Sequence, residues 1–432
     1  MNFYTRFSRL AIVNILSNLM TPLASFLDVA FLGHLTEIRH LAGVALATVL
    51  FNYLYWTFGF LRMGTTGMTA QAVGRNDRYG ILTIGLRNLI LALSIGLLIW
   101  VLQFPLREIG FTLLSATPEV KLAGRDYFQT MIWGAPANLM SFVLLGWFLG
   151  REQGSKVFLL SLVGNGSNVA LNYWFIVQLG WASMGAGAAT ATSQYVMVLV
   201  GLGLILWEKP WQGVSWQNIT APLWERQALG EVFTLNGDIL IRTFALITAF
   251  SLFTNFSSAL GTVILAANTL LLQVITLAAY FIDGIAFATE SLAGNLHGQK
   301  DKKGLPRLLW LSGSVSVVLG LMFAGGFILF PQFFFGLLTR HDEVIARVGD
   351  YILWLLPVLG FGGVAYSLDG YFLGLTAGRT LRVAMVISTG VGFLPLALVA
   401  WWWQSPQLLW LALTGLMVVR CVTLGWVVPR TF

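Results

Sequence analysis

The chain has 432 residues, of which 57% are hydrophobic and only 10% charged, with a mean hydropathy of +0.78. A soluble domain carries about 25% charged residues, so this composition excludes a water-soluble enzyme, a nucleic-acid-binding domain and a disordered scaffold. The net charge of +7 fits cations that set membrane topology and meet anionic headgroups, and a single cysteine, Cys421, excludes a disulfide framework or a thiolate metal cluster.

A bilayer-crossing helix takes roughly 20 mostly apolar residues. Runs of that kind fall at 10–35, 41–72, 81–104, 127–150, 157–178 and 184–207, then at 234–257, 262–293, 305–330, 349–373, 381–403 and 406–428. The runs are continuous rather than alternating, which separates them from a transmembrane β-barrel. The first follows MNFYTRFSRL and is too long for a cleavable signal peptide. The expected fold is therefore an all-α polytopic membrane protein of twelve transmembrane helices.

Orientation follows from Lys and Arg. Arg6 and Arg9, Arg75 and Arg78, Arg151 and Lys156, Lys209 and Arg226, Lys300, Lys302, Lys303 and Arg307, Arg379 and Arg382, and Arg430 fall on one side under this count. The other side holds only Arg39, Arg107, Lys121, Arg125, Arg340 and Arg347. The richer side is expected to be cytoplasmic, with both termini inside. The absence of a transit peptide points to a bacterial inner membrane.

The longest polar interruption, 207–231, is expected to be a cytoplasmic linker, partly an interfacial amphipathic helix given its tryptophans. Across it the chain matches itself. DYFQ…GWFLGREQG (126–154) falls on DYIL…GYFLGLTAG (350–378) at an offset of about 224, and MGTTGMTAQAVG (63–74) on DGIAFATESLAG (283–294) near 220. Pro105 and Pro331 close the third span of each half. Six plus six helices in one orientation imply a parallel repeat: an N-lobe over 1–206, the linker, and a C-lobe over 232–432, two pseudo-symmetric lobes facing a central cavity.

An ionisable group at the helix centre costs roughly 2.5–3.5 kcal/mol on insertion scales, so each one asks for a reason. In the first half these are Asp28 and Arg62; in the second they are Asp238, Arg242, Asp283, Glu290, Asp369 and Arg420. Asp28 follows Pro22 by less than two turns, and a proline there can kink the helix beside the carboxylate. Asp28 is read as a proton- or Na⁺-titrated group, with a permanent pair to Arg62 as the plainer alternative. Asn165, Asn168 and Asn172 stack along one helical face, which serves equally as a polar inter-helix seam or as a network around Asp28 that Thr192 could extend. Asp238 and Arg242 are four apart and can pair on one face. Asp283 and Glu290 share another face, and with Asp369 leave surplus negative charge, which suits a proton carrier or a cationic substrate. Arg87 and Arg420 can snorkel. No phosphate-binding loop, no metal-ligand spacing among the four histidines and no nucleophile with a base occur, so no enzyme activity is expected.

LDVAFLGHL (27–35), FLRMGTTGMTAQAVG (60–74), LNGDILIRT (235–243), DGIAFATESLAG (283–294) and LDGYFLG (368–374), taken in order, resemble the multidrug and toxic compound extrusion (MATE) family, and within it the DNA-damage-inducible F type. The resemblance implies two six-helix lobes and export of small organic, often cationic, amphipathic compounds against an inward H⁺ or Na⁺ gradient. It also implies a proton site at Asp28 with Asn168 and Asn172 around it, and further acids at Asp238, Asp283, Glu290 and Asp369. Some relatives carry a second acid where Asn172 stands.

The leading reading is H⁺-coupled antiport by alternating access, with the N-lobe set Asp28, Arg62, Asn168, Asn172 and Thr192 and the C-lobe set Asp238, Arg242, Asp283, Glu290 and Asp369. It needs no cofactor and no nucleic acid, and a monomer in the bilayer suffices. Na⁺ coupling through carboxylate and amide oxygens, a lipid-linked precursor flippase, a passive channel and a non-transporting scaffold are the alternatives.

Overall fold

The computed structural model describes residues 2–35, 37–215, 221–339 and 341–432. Eleven helices are long and apolar enough to cross a membrane. We label the rods α1 (Phe3–Gly33), α2 (Ile38–Gly74), α3 (Arg78–Val101) and α4 (Pro118–Gly150). Next come α5 (Gly154–Asn172, continued by the π-helical turn Tyr173–Gln178) and α6 (Ala182–Glu208). The second half supplies α7 (Arg226–Ala259), α8 (Thr262–Gly298), α9 (Gly304–Leu329), α10 (Asp342–Gly374), α11 (Gly378–Trp402) and α12 (Pro406–Thr431). The least apolar rod is α5, because Lys156 and its three asparagines dilute the apolar run. No strand occurs among the described residues. Closed helical hydrogen bonding is what a segment in hydrocarbon requires, since no water is there to serve an open backbone.

The chain divides into two compact units, Leu16–Val232 and Met1–Ile15 together with Phe233–Phe432. The leading part of α1 thus packs with the second half. The backbone of Ile15 lies against Gly284 of α8, and Phe3 and Tyr4 stack under the Arg307 guanidinium of α9 at 5.1 and 4.5 Å. In the first unit the core is aromatic around Phe51 and Phe128, whose rings are 5.0 Å apart. In the second, Trp410 meets Phe253 edge-on at 5.0 Å and donates from Nε1 to Asn268 Oδ1 at 2.9 Å, while Asn268 donates to Ser257 at 2.8 Å.

The repeat is visible in the backbone. Helices α2 and α8 run from 38 to 74 and from 262 to 298, and α4 and α10 from 118 to 150 and from 342 to 374, each pair 224 residues apart. Non-glycine residues with positive φ recur at the same corners: Asn76 and Lys300 (56° and 59°), Glu152 and Thr376 (59° and 54°). Asp77 caps α3 through the Gly80 N–H at 2.8 Å, and Asp301 caps α9 through the Gly304 N–H at 3.0 Å. Pro105 and Pro331 sit in the short helices Gln103–Leu113 and Pro331–Leu338 that follow α3 and α9.

The linker is described in part. Helix α6 runs to Glu208, Lys209 takes a left-handed conformation, Ala221–Trp224 forms a single 3₁₀ turn and α7 starts at Arg226. Residues 216–220, in the middle of the segment expected to hold an interfacial helix, lie outside the described residues, as does Arg340. Arg87 donates to the linker carbonyls of Pro222 and Leu223 at 2.6 and 3.2 Å.

Small residues let α4 approach α2 closely. A Cβ on Gly150 would stand 2.7 Å from the Thr66 carbonyl oxygen and 3.0 Å from the Ala70 nitrogen, both backbone atoms. Gly374 of α10 makes the equivalent approach to Glu290 of α8. Overpacking of this kind typically costs 1–3 kcal/mol. Gly150→Val is therefore expected to lower the thermal unfolding midpoint in detergent, whereas Gly203→Ala, which meets nothing within 4 Å, should leave it unchanged or raise it.

Candidate functional site: a carboxylate among amides and a carboxylate among cations

In the first unit, α1 presents Asp28 half-buried. Its Oδ1 accepts a hydrogen bond of 2.5 Å from Asn172 Nδ2 of α5. The same amide nitrogen also donates to Asn168 Oδ1 at 3.1 Å, one turn away. Asn168 in turn donates to Thr190 Oγ1 of α6 at 3.1 Å, and Thr190 donates to the Ala186 carbonyl of its own helix at 3.0 Å. The result is a hydrogen-bonded chain joining α1, α5 and α6, in which the Asn172 NH₂ points to the carboxylate and the Asn168 NH₂ points away from it, to Thr190. The phenol of Tyr127 on α4, 6% exposed, lies against Thr48, Thr190 and the Asp28 charge. Asn168 and Asn172 are both buried, and the Oδ1 of Asn172 has no hydrogen-bond donor.

Three expectations are modified here. No cation among the described residues pairs with Asp28, so the Asp28–Arg62 pair is replaced by an amide contact. Asn165 turns back onto the Ser161 carbonyl of its own helix at 2.8 Å, so two amides rather than three reach the site. The α6 hydroxyl is that of Thr190, not Thr192: at two residues' spacing, positions on a helix face about 200° apart.

The second unit solves the same problem with charge. Asp238 of α7 does not pair with Arg242 on its own helix. It pairs with Arg382 of α11 at 2.7 Å, a residue that loop position alone had assigned to topology. Arg242 pairs instead with Asp369 of α10. Arg420 of α12, rather than snorkelling, is 1% exposed; its Nε donates to Asp369 Oδ1 at 3.1 Å and its Nη2 to Oδ2. Two guanidiniums on one carboxylate reverse the expected sign there: Asp369 adds nothing to a surplus of acid. Of the α8 acids, Glu290 is fully buried and Asp283 half-buried, and both lie close enough to act on the Arg242 charge.

Sequence reasoning missed Thr190, Tyr127, Arg382 and Arg420 as members of these clusters. Only Arg420 had a readable signal, since an arginine well inside an apolar span needs a partner.

A helical membrane protein of two repeated six-helix halves, with carboxylates held by polar partners at bilayer depth, has the build of a secondary transporter. The MatE family model matches residues 14–174 and again 239–399, once per half. The chain is 32% identical over 418 residues to DNA damage-inducible protein F of Escherichia coli (strain K12), covering 96% of this chain and 90% of that one. It is 25% identical over 373 residues to a probable multidrug resistance protein NorM of Synechococcus sp., covering 84% and 78%. The fold matches an outward-facing multidrug resistance MATE family transporter with a TM-score of 0.90 at 20% identity, over 99% of this chain and 95% of that one. The chain belongs to the MATE family of membrane transporters, in its DNA-damage-inducible F branch. It is not an enzyme.

The ion pairs are testable by coupling. Asp238→Asn and Arg382→Gln are expected to show an interaction energy of about 1 kcal/mol in a double-mutant cycle of unfolding, because Arg382 is partly exposed. Asp238→Asn with Arg242→Gln should be additive to within about 0.5 kcal/mol; coupling in the second cycle instead of the first would restore the same-helix pair.

Proposed function

We propose that this transporter exports small organic cations in exchange for protons, and that Asp28 is the group that binds and releases the proton. The observation that supports this is the company of its carboxylate: half-buried, held by a neutral amide, with no described cation to fix its charge. A carboxylate locked to arginine is held in one protonation state, whereas one among amides is served in both. Ionised, Asp28 accepts from Asn172. Protonated, it gains an O–H that needs an acceptor, and the Oδ1 of Asn172, buried and without a donor, becomes one when the amide rotates.

That rotation withdraws the Asn172 hydrogens from Asn168, so the order of donors along Asn172, Asn168 and Thr190 must change with the proton. Helices α1, α5 and α6 are joined by this chain, and protonation therefore biases how they pack. Proton affinity that differs between two packing states is what linkage requires of a coupled carrier. An organic cation and a proton compete for the same negative group, which gives exchange rather than co-transport.

In this reading the cycle uses no cofactor, one chain suffices, and the protein sits in a bacterial inner membrane with both termini cytoplasmic. The test is efflux from proteoliposomes with pH and Na⁺ gradients imposed separately. Proton-driven export is expected, and Asp28→Asn should abolish it while the protein keeps its unfolding midpoint and its yield in the membrane. Export driven by Na⁺ at clamped pH would replace the proton with sodium; unchanged proton-driven export by Asp28→Asn would remove Asp28 from the mechanism. Asn172→Ala should lower proton-driven export about tenfold, since a hydrogen bond to a charged group is worth roughly 1.5–3 kcal/mol.

A further inference from the structure

We infer that Arg242 and Arg420 are fixed counter-cations of Asp369, forming an electrostatic strut across α7, α10 and α12 that withdraws the α10 acid from proton and sodium exchange. All three side chains are more than nine-tenths buried. Both carboxylate oxygens are engaged, Oδ1 by Arg420 and Oδ2 by Arg420 and Arg242. The donors outnumber what the carboxylate accepts: Arg242 Nε and Arg420 Nη1 are buried beyond it without a hydrogen-bond partner. A sodium ion or a proton arriving at Asp369 would have to displace a guanidinium, which does not deprotonate in a protein. It would also strand that charge in a medium that penalises unpaired ions heavily.

The other groups facing the strut are Asp283 and Glu290 of α8, Tyr366 of α10 and Cys421 of α12. Arg420 lies 5.5 Å over the Tyr366 ring, a contact that adds to its retention. The ion-pair partner shared by the two strut arginines is Asp369. The residues offset by 224 from Asp369 and Arg420 are Leu145 and Val196, so these members of the strut are not repeated in the first half. The repeat has diverged into one half with an acid free to change state and one half with an acid clamped.

The division of labour between the halves rests on the proton-antiport reading, but the strut itself stands on geometry and is tested apart from it. Removing one partner of a buried ion pair leaves uncompensated charge, so Asp369→Asn is expected to lower the unfolding midpoint by roughly 10 °C. A charge-free triple variant, Asp369→Leu with Arg242→Met and Arg420→Met, should recover most of that loss. It should also retain proton-driven export within about threefold of the parent, on an unshifted pH profile, since replacing a whole buried ion cluster by apolar residues is often neutral. A triple variant that folds but loses export, or whose pH profile moves, overturns the assignment.

Should the triple variant not fold, radioactive sodium binding to the unmodified protein decides. No saturable binding that Asp369→Asn removes is expected, and such binding would show an exchangeable cation at Asp369 and sink the strut. Failure of the proton reading shows differently, as Asp28→Asn that still exports, with the unfolding results on Asp369 unaffected.

Discussion

Hydrocarbon does not solvate charge, and the architecture of this chain follows from that refusal. Every carboxylate, amide and guanidinium carried to bilayer depth must be answered by another polar group of the protein. The answers fix which helices stay together. Asp28 binds α1 to α5 and, through Asn168 and Thr190, to α6. Asp369 binds α10 to α7 and α12. Asp238 binds α7 to α11. Close glycine contacts between α2 and α4, and between α8 and α10, supply the van der Waals packing that lipid does not drive.

The two kinds of answer have opposite consequences. An amide offers a donor and an acceptor from one side chain, so it can serve a carboxylate or a carboxylic acid by turning over. A guanidinium offers only donors and keeps its charge, so it fixes the partner as an anion. Asn172 beside Asp28 therefore leaves a choice of state, while Arg242 and Arg420 around Asp369 remove it. Coupled transport needs a site of the first kind and a frame against which it can act, and the same polypeptide supplies both.

Much of this was legible in the amino-acid sequence because apolar length is a strong signal: the run read at 262–293 is helix Thr262–Gly298, and that at 81–104 is Arg78–Val101. The internal offset was legible because GWFLG and GYFLG both close a helix against its α2- or α8-type neighbour. The presence of acids at depth was equally plain, but their partners were not. Periodicity places Asp238 and Arg242 on one face and says nothing about Arg382, 144 positions on and ascribed to a loop. Arg420 was misread because snorkelling depends on depth and tilt, which a linear string does not carry. Thr190 was displaced to Thr192 because the run GAGAATATSQ offers two threonines, and only the rotation of α6 about its axis distinguishes them.

The left-handed corners carry a consequence for the repeat. Asn76 and Lys300, and Glu152 and Thr376, hold φ near +55° to +60° at matching bends, although a lysine, a glutamate and a threonine gain nothing there and glycine would be easier. Side-chain identity has drifted at each place while the bend has not. The repeat is thus kept in the backbone at places where the side chains no longer show it. The lone acid of one half and the clamped acid of the other are not shared, so the two copies differ in charge where they agree in backbone. The bend is what the two copies hold in common, and the electrochemistry is what sets them apart.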